Sequence, residues 1–238
     1  MEHPATFTYL LGTAITLGFV HTLIGVDHSL PFIMIGKARG WSLSKVLGLT
    51  TLCGAGHVLS SILLGFFGIG LGVTLEKLEW IETSRGELAA NLLISFGLVY
   101  GSVSLWRALR NRPHKHSHSH GDGINHTHVH NHHHEHLHAH SLNAGKMTAW
   151  GLFVIFIFGP CEALIPLLMA PASEHHWSWV VLISLAFGIT TVATMLLVVS
   201  AGYLGLQPTR FKLIEKFSNT IAGFTIAGSG FAIQLLGI

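Results

Sequence analysis

The sequence predicts an all-α integral membrane protein with six transmembrane helices arranged as two inverted three-helix repeats. Three observations carry that expectation. Only 10% of the 238 residues are charged and 50% are hydrophobic, with a mean hydropathy of +0.55, whereas a soluble domain carries about 25% charged residues. Apolar runs near the length that crosses the hydrocarbon, about 20 residues, recur six times. Short patterns in the first half of the chain also return, in the same order, in the second half. Hydrocarbon satisfies no backbone hydrogen bonds, so all six runs are expected to be helices.

Taken in order, the first run covers 7–24, with a broken extension through Pro31 toward residue 35. Met1-Glu2-His3-Pro4 before it lacks the basic flank of a signal peptide, so this run is read as a retained span. The second covers 46–66 and continues into a Gly-rich tail at 68–72. That tail follows a helix rather than a strand, so it is packing and not a phosphate loop. A short amphipathic stretch at 75–88 precedes the third span at 90–109. The polar segment 110–146, loaded with histidine, divides the chain. The remaining spans are expected at 149–169, 179–204 and 219–236. The domain reading is therefore 1–109 and 147–238 as two three-helix repeats around a disordered loop at 110–146. The two cysteines, Cys53 and Cys161, both lie in apolar runs and make no disulfide framework.

Positive charge orients the spans. Eleven of the thirteen Lys and Arg residues fall on one side, including Lys37, Arg39 and Lys45, then Arg107, Arg110, Arg112, Lys115 and Lys146, then Arg210, Lys212 and Lys216. The other side holds Lys77 and Arg85 beside Glu76, Glu79, Glu82 and Glu87. The expected location is the inner (plasma) membrane, with the N-terminus outside and the histidine loop cytoplasmic.

The halves share three patterns. Asp27, three residues, Pro31, two residues and Met34 match Glu162, Pro166 and Met169. In spans 2 and 5, Gly54 through Val58 align with Gly188 through Val192. In spans 3 and 6, Asn91 and Phe96 align with Asn219 and Phe224. An odd number of spans per repeat inverts the second relative to the first, as in many secondary transporters whose sites lie on interrupted helices near the midplane.

Asp27 is the costly residue of span 1, since a charge at the bilayer centre costs about 2.5–3.5 kcal/mol on insertion scales. His21 and His28 flank it. On an unbroken helix these two lie on one face but about 10.5 Å apart, too far to hold one ion at about 2 Å from each. Gly25 and Pro31 supply a break that lets them converge. The plainer reading pairs Asp27 with His28 or Lys37 at a helix end. His57 follows small residues, Gly54-Ala55-Gly56, that permit a neighbouring helix to approach its imidazole. In span 4, Pro160 and Pro166 bracket Glu162, which either completes a metal site or accepts the coupled proton. Cys161 is read as a small apolar residue, its role as a ligand left open. Thr190, Thr191 and Thr194 in span 5 are weaker candidates to line a path.

The loop carries His114, His116, His118, His120, His126, His128, His130, His132, His133, His134, His136, His138 and His140. Alternating imidazoles on a chain with few apolar residues suit late first-row divalent ions. A buffering, sensing or delivery role is expected there, and a plain solvating linker is the alternative.

A first-span histidine followed closely by Asp-His, a Gly-His in span 2 and a His-rich loop resemble the nickel/cobalt transporter superfamily. That superfamily includes urease-accessory-type membrane proteins and nickel/cobalt efflux proteins. Gly159-Pro160-Cys161-Glu162, with Leu164-Ile165-Pro166 after it, is similar to six-span relatives of the same group. Five residues separate His21 from Asp27, where the uptake transporters have four. The resemblance implies transport of Ni²⁺ or Co²⁺, with Zn²⁺ also possible, whereas the residues alone argue only for a borderline transition metal. The expected metal ligands are His21, Asp27, His28, His57 and Glu162, together with the loop histidines. No catalytic residue and no resident cofactor is expected, and the chain is not read as an enzyme. Expected partners are divalent metal ions, the lipid bilayer and a cytoplasmic metallochaperone, with no nucleic acid. Two other classes compete: a thiol or electron carrier of the cytochrome-biogenesis type, and an exporter of a small organic or sulfur-containing anion. The first needs two close sulfurs; the second would be helped by an intramembrane Lys or Arg, and none is expected.

Overall fold

Gly25 and Pro31 divide the first apolar run as their backbone chemistry demands. A computed structural model describes residues 4–110, 115–119, 125–129, 139–159, 161, 163–206 and 216–236. Helix α1 (Pro4–Ile24) stops at Gly25, which is extended, and a single 3-10 turn, Val26–His28, leads into α2 (Leu30–Ala38). Pro31 sits in the first turn of α2, where the missing N–H would have no intrahelical partner anyway. After a turn in which Gly40 takes φ +60°, α3 (Leu43–Gly70) and α4 (Leu75–Arg110) follow. The second half follows. Helix α5 (Ala139–Phe158) is interrupted before α6 (Leu164–Ser173), and α7 (Trp177–Gly205) and α8 (Ser218–Leu236) complete it.

The architecture is all-α apart from one short ribbon. Among the described residues, four helices are long and apolar enough to cross a membrane: Ala5–Ile24, α3, α4 and α7. Several hydroxyls within these helices are satisfied by the helix itself, although the buried Thr191 hydroxyl has no partner among the described residues. Thr22 donates to the Gly18 carbonyl, Thr50 to Val46 and Ser184 to Val180, the i−4 bond open to Ser and Thr in a helix. Large apolar side chains such as Phe19, Leu63, Val99, Leu185 and Leu197 face outward, as a hydrocarbon surround permits.

Two elements differ from the sequence expectation. The amphipathic stretch and the third span are one continuous helix of 36 residues, about 54 Å long. Its first turns bury one face through Leu78 and Glu82 and leave Glu76, Lys77, Glu79 and Trp80 exposed. Within the loop expected to be disordered, β1 (Lys115–Ser119) and β2 (Asn125–Val129) pair antiparallel, with His116 opposite His128 and His118 opposite His126.

Helix α4 packs most extensively on α8, α1 packs on α7, and α3 packs on both α7 and α5. The α4–α8 seam is lined with glycine. A Cβ on Gly97 would lie 2.4 Å from the Ala227 nitrogen, and one on Gly223 would lie 2.4 Å from the Gly101 nitrogen. The helices run antiparallel, tied near one end by Tyr100 donating to Asn219 Oδ1 (2.6 Å) and near the other by Gln234 donating to Asn91 Oδ1 (2.9 Å). One apolar cluster contains Phe32, Ile35, Val46, Leu152 and Phe156; a second contains Ala14, Cys161, Leu164, Ile183 and Phe187. Phe156 of the first and Cys161 of the second both border the polar cluster described next.

Candidate metal centre

The break after α1 turns His28 back toward His21. Gly25 donates its N–H to the His21 carbonyl (2.9 Å), and the His28 N–H returns to the Gly25 carbonyl (3.1 Å). This tight loop leaves the two imidazoles with ring centres 4.9 Å apart, where a straight helix would separate the residues by about 10.5 Å. It also leaves no room for a side chain at position 25, because a Cβ would fall 2.2 Å from His28 Nδ1. Only glycine fits.

From α3, His57 meets the other side of His28, ring centres 5.1 Å apart. Its Nδ1 lies 3.3 Å from the Phe156 carbonyl. In the tautomer with the proton on Nδ1, that nitrogen donates and Nε2 is presented as a lone pair, the usual way an outer partner orients a ligating histidine. Gly159 lies against the same ring: a Cβ there would be 2.8 Å from His57 Nδ1. Asp27 Oδ1 is 3.1 Å from His28 Nδ1, close but not aligned as a directed hydrogen bond, so Nδ1 has no hydrogen-bond partner among the described residues.

The telling feature is polarity without partners. Among the described residues, His21 Nε2, His28 Nε2 and His57 Nε2 are all buried with no hydrogen bond. Each such group costs about 1–3 kcal/mol, and unsatisfied buried groups in folded proteins are few enough to call for a reason. One ligand atom each from His21, His57 and Cys161 lie within 4.8 Å of one another, near enough for a single ion to reach all three. A cavity of about 230 Å³ opens beside them, walled by Asp27, Ala89, Leu93, Ile155 and Ile233. Imidazole, carboxylate and sulfur together suit nickel, cobalt or zinc better than the hard ions magnesium and calcium.

Of the expected ligands, His21, Asp27, His28 and His57 therefore meet at one place. Cys161, read from the sequence as apolar filler, comes within 4.8 Å of ligand atoms of His21 and His57. Glu162 lies outside the described residues, as do His114, His120, His130, His132, His133, His134, His136 and His138. For His116, His118, His126, His128 and His140 the structure describes the backbone. Thr191 is buried at the contact between α1 and α7 and Thr194 donates to the Thr190 carbonyl; neither lines the cavity. Cys53 and Cys161 are free thiols in separate apolar clusters.

Sequence reasoning missed a buried ion pair. Glu82 is fully buried, and its Oε1 accepts from Arg85 Nη1 at 2.6 Å. A signal was present. Leu78, Glu82, Ala89 and Leu93 are all buried along one face of α4, so Glu82 occupies a core position of the apolar stripe.

Gly25→Ala is expected to push the His28 imidazole out of the cluster while the helices persist. The measurement is a nickel titration alongside circular dichroism. Affinity should fall about 10- to 100-fold, the range for losing an orienting contact to a ligand, at unchanged helix content.

No protein-family model, curated protein or solved structure matches the chain.

Proposed function

We propose that this protein is a membrane carrier, not an enzyme, that moves a divalent transition metal ion, nickel or cobalt first and zinc next. The ion binds at His21, Asp27, His28 and His57, with the Cys161 sulfur as a further donor. One observation carries this reading: three imidazoles, whose buried Nε2 atoms have no partner among the described residues, converge beside a carboxylate, among helices long enough to cross a membrane. Buried ionisable groups at such depth are characteristic of ion and proton pathways.

The packing supports a six-span inverted repeat. If residues 54–58 correspond to 188–192 through a two-fold axis, every contact between them must occur twice with the roles exchanged. Gly54 lies against Val192 and Gly188 lies against Val58, which is that exchange. The pairing of α1 with α7 is likewise returned as α5 with α3. An interrupted helix in each half, at 25–29 and 159–163, agrees with transporter sites built at the interface between repeats.

In this mechanism the ion sheds water as it enters the cavity and displaces protons from its ligands. Asp27 carries the coupled proton as the two halves rock, with Glu162 as the alternative carrier. The histidine loop, on the cytoplasmic side with the N-terminus outside, gathers or hands over the ion, with a metallochaperone as its partner. The resemblance to nickel/cobalt transporters points the same way and leaves direction open.

The test measures nickel, cobalt and zinc content of cells with and without the protein under added metal. Direction is read from the sign of the difference. His28→Ala and His57→Ala are each expected to abolish that difference, and deletion of 114–140 to reduce it. Nickel handling that survives deletion of the loop and is indifferent to both substitutions sinks the reading.

A further inference from the structure

The buried pair on α4 plays no part in the transport reading, yet its described bonds point at the backbone that carries the site. Glu82 Oε2 accepts the Cys161 N–H at 3.1 Å. Arg85 Nη2 donates to the Ile157 carbonyl at 2.8 Å and reaches the Gly159 carbonyl at 3.4 Å. These are carbonyls at the end of α5, where the helix leaves its last acceptors without intrahelical donors. The same guanidinium donates to Ser60 Oγ at 2.7 Å and lies 3.4 Å from Ser61 Oγ. Ser60 is one turn beyond His57 and donates its own hydroxyl to the His57 carbonyl at 2.8 Å.

A buried ion pair is weak evidence for stability, because desolvation offsets the attraction unless the geometry supplies further hydrogen bonds. Here those bonds tie α3, at the level of His57, to the interrupted segment ending at Cys161. Arginine suits this task, since its planar fork presents several fixed donors at once. We propose that Glu82 and Arg85 form a positioning pair that holds the break between α5 and α6 against α3, so that the Cys161 sulfur completes a donor set with His21 and His57. The consequence is specificity: a sulfur donor shifts preference toward thiophilic ions. This inference rests on the metal-binding reading of the cluster.

Cobalt(II) alone, titrated into the purified full-length protein, separates the two. A cobalt–thiolate bond gives a near-ultraviolet charge-transfer band that imidazole and carboxylate ligands do not. The chain has two cysteines, and neither lies in the histidine loop, so loop binding is silent in this band. The unaltered protein is expected to show the band and Cys161→Ser to lose it. Glu82→Gln and Arg85→Lys should lose more than half of it while still binding cobalt in a manner sensitive to His57→Ala. Ser60→Ala, which leaves the charges paired, should lose a smaller part and keeps the test readable if a charge variant does not fold. A full-intensity band in Glu82→Gln, Arg85→Lys and Ser60→Ala overturns the positioning role alone. Cobalt binding sensitive to His57→Ala but without the band overturns the sulfur donor and with it this proposal. Absence of any binding sensitive to His57→Ala overturns the metal site itself.

Discussion

Replacing His57 by alanine is expected to weaken nickel or cobalt binding at the buried cluster by about 100- to 1,000-fold. Four-donor metal sites in small domains release about 10–16 kcal/mol, so one donor accounts for roughly 3–4 kcal/mol, or two to three decades at 1.4 kcal/mol per decade. His57 is the sharpest choice because its ring is 5.1 Å from that of His28 and its Nε2 has no hydrogen-bond partner among the described residues. Removing it thus breaks no hydrogen bond at that nitrogen. The measurement is competition against a metal chelator in protein lacking 114–140, so that the loop does not mask the result. His176→Ala is the control: that imidazole stacks on Trp179 and pairs with exposed Glu174 at 3.6 Å, and its loss should change nothing measurable. Equal affinities for His57→Ala and the parent protein contradict the site.

The second large effect is on the fold. Gly97→Leu is expected to destabilise the protein by at least about 3 kcal/mol, the upper end of ordinary overpacking. The first added atom already meets backbone: the Ala227 nitrogen at 2.4 Å and the Gly223 oxygen at 2.6 Å. Backbone cannot rotate away as a side chain can, so α4 and α8 must separate. Small residues at such a crossing let apolar helices approach closely enough for dispersion and weak hydrogen bonds to hold them. Gly48→Ala gives the opposite sign. Nothing lies within 4 Å of a Cβ at position 48, and in mid-helix alanine is favoured by about 0.5–1 kcal/mol. Thermal unfolding in detergent, followed by circular dichroism, reads both. A Gly97→Leu protein as stable as its parent would mean that the α4–α8 seam is not as described.

The histidines of span 1 were legible because an apolar helix makes every polar residue conspicuous. The break between them was legible too, since glycine and proline act on the backbone locally. Other features were not. Periodicity tells which residues share a face of α4, but not which helix covers that face. Glu82 and Arg85 therefore looked like the solvated end of an amphipathic stretch, in company with Glu76, Lys77, Glu79 and Glu87. Cys161 was ambiguous for the same reason: a buried thiol is commonly apolar filler, and only its neighbours distinguish filler from ligand.

What the chain determines by itself is the helical, lipid-compatible character of its runs, the two interruptions, and the cost of placing Asp27, His28 and His57 in apolar surroundings. These follow from composition, from backbone sterics and from transfer energies, all of which act within a few residues. Only the tertiary structure decides that His21, His28, His57 and Cys161 come from three separate segments to one place, and that Glu82 with Arg85 ties two of those segments together. Such convergence depends on which helices are neighbours. That choice is made by close packing between distant segments, as at Gly54 against Val192 and Gly97 against Ala227, and no local pattern encodes it.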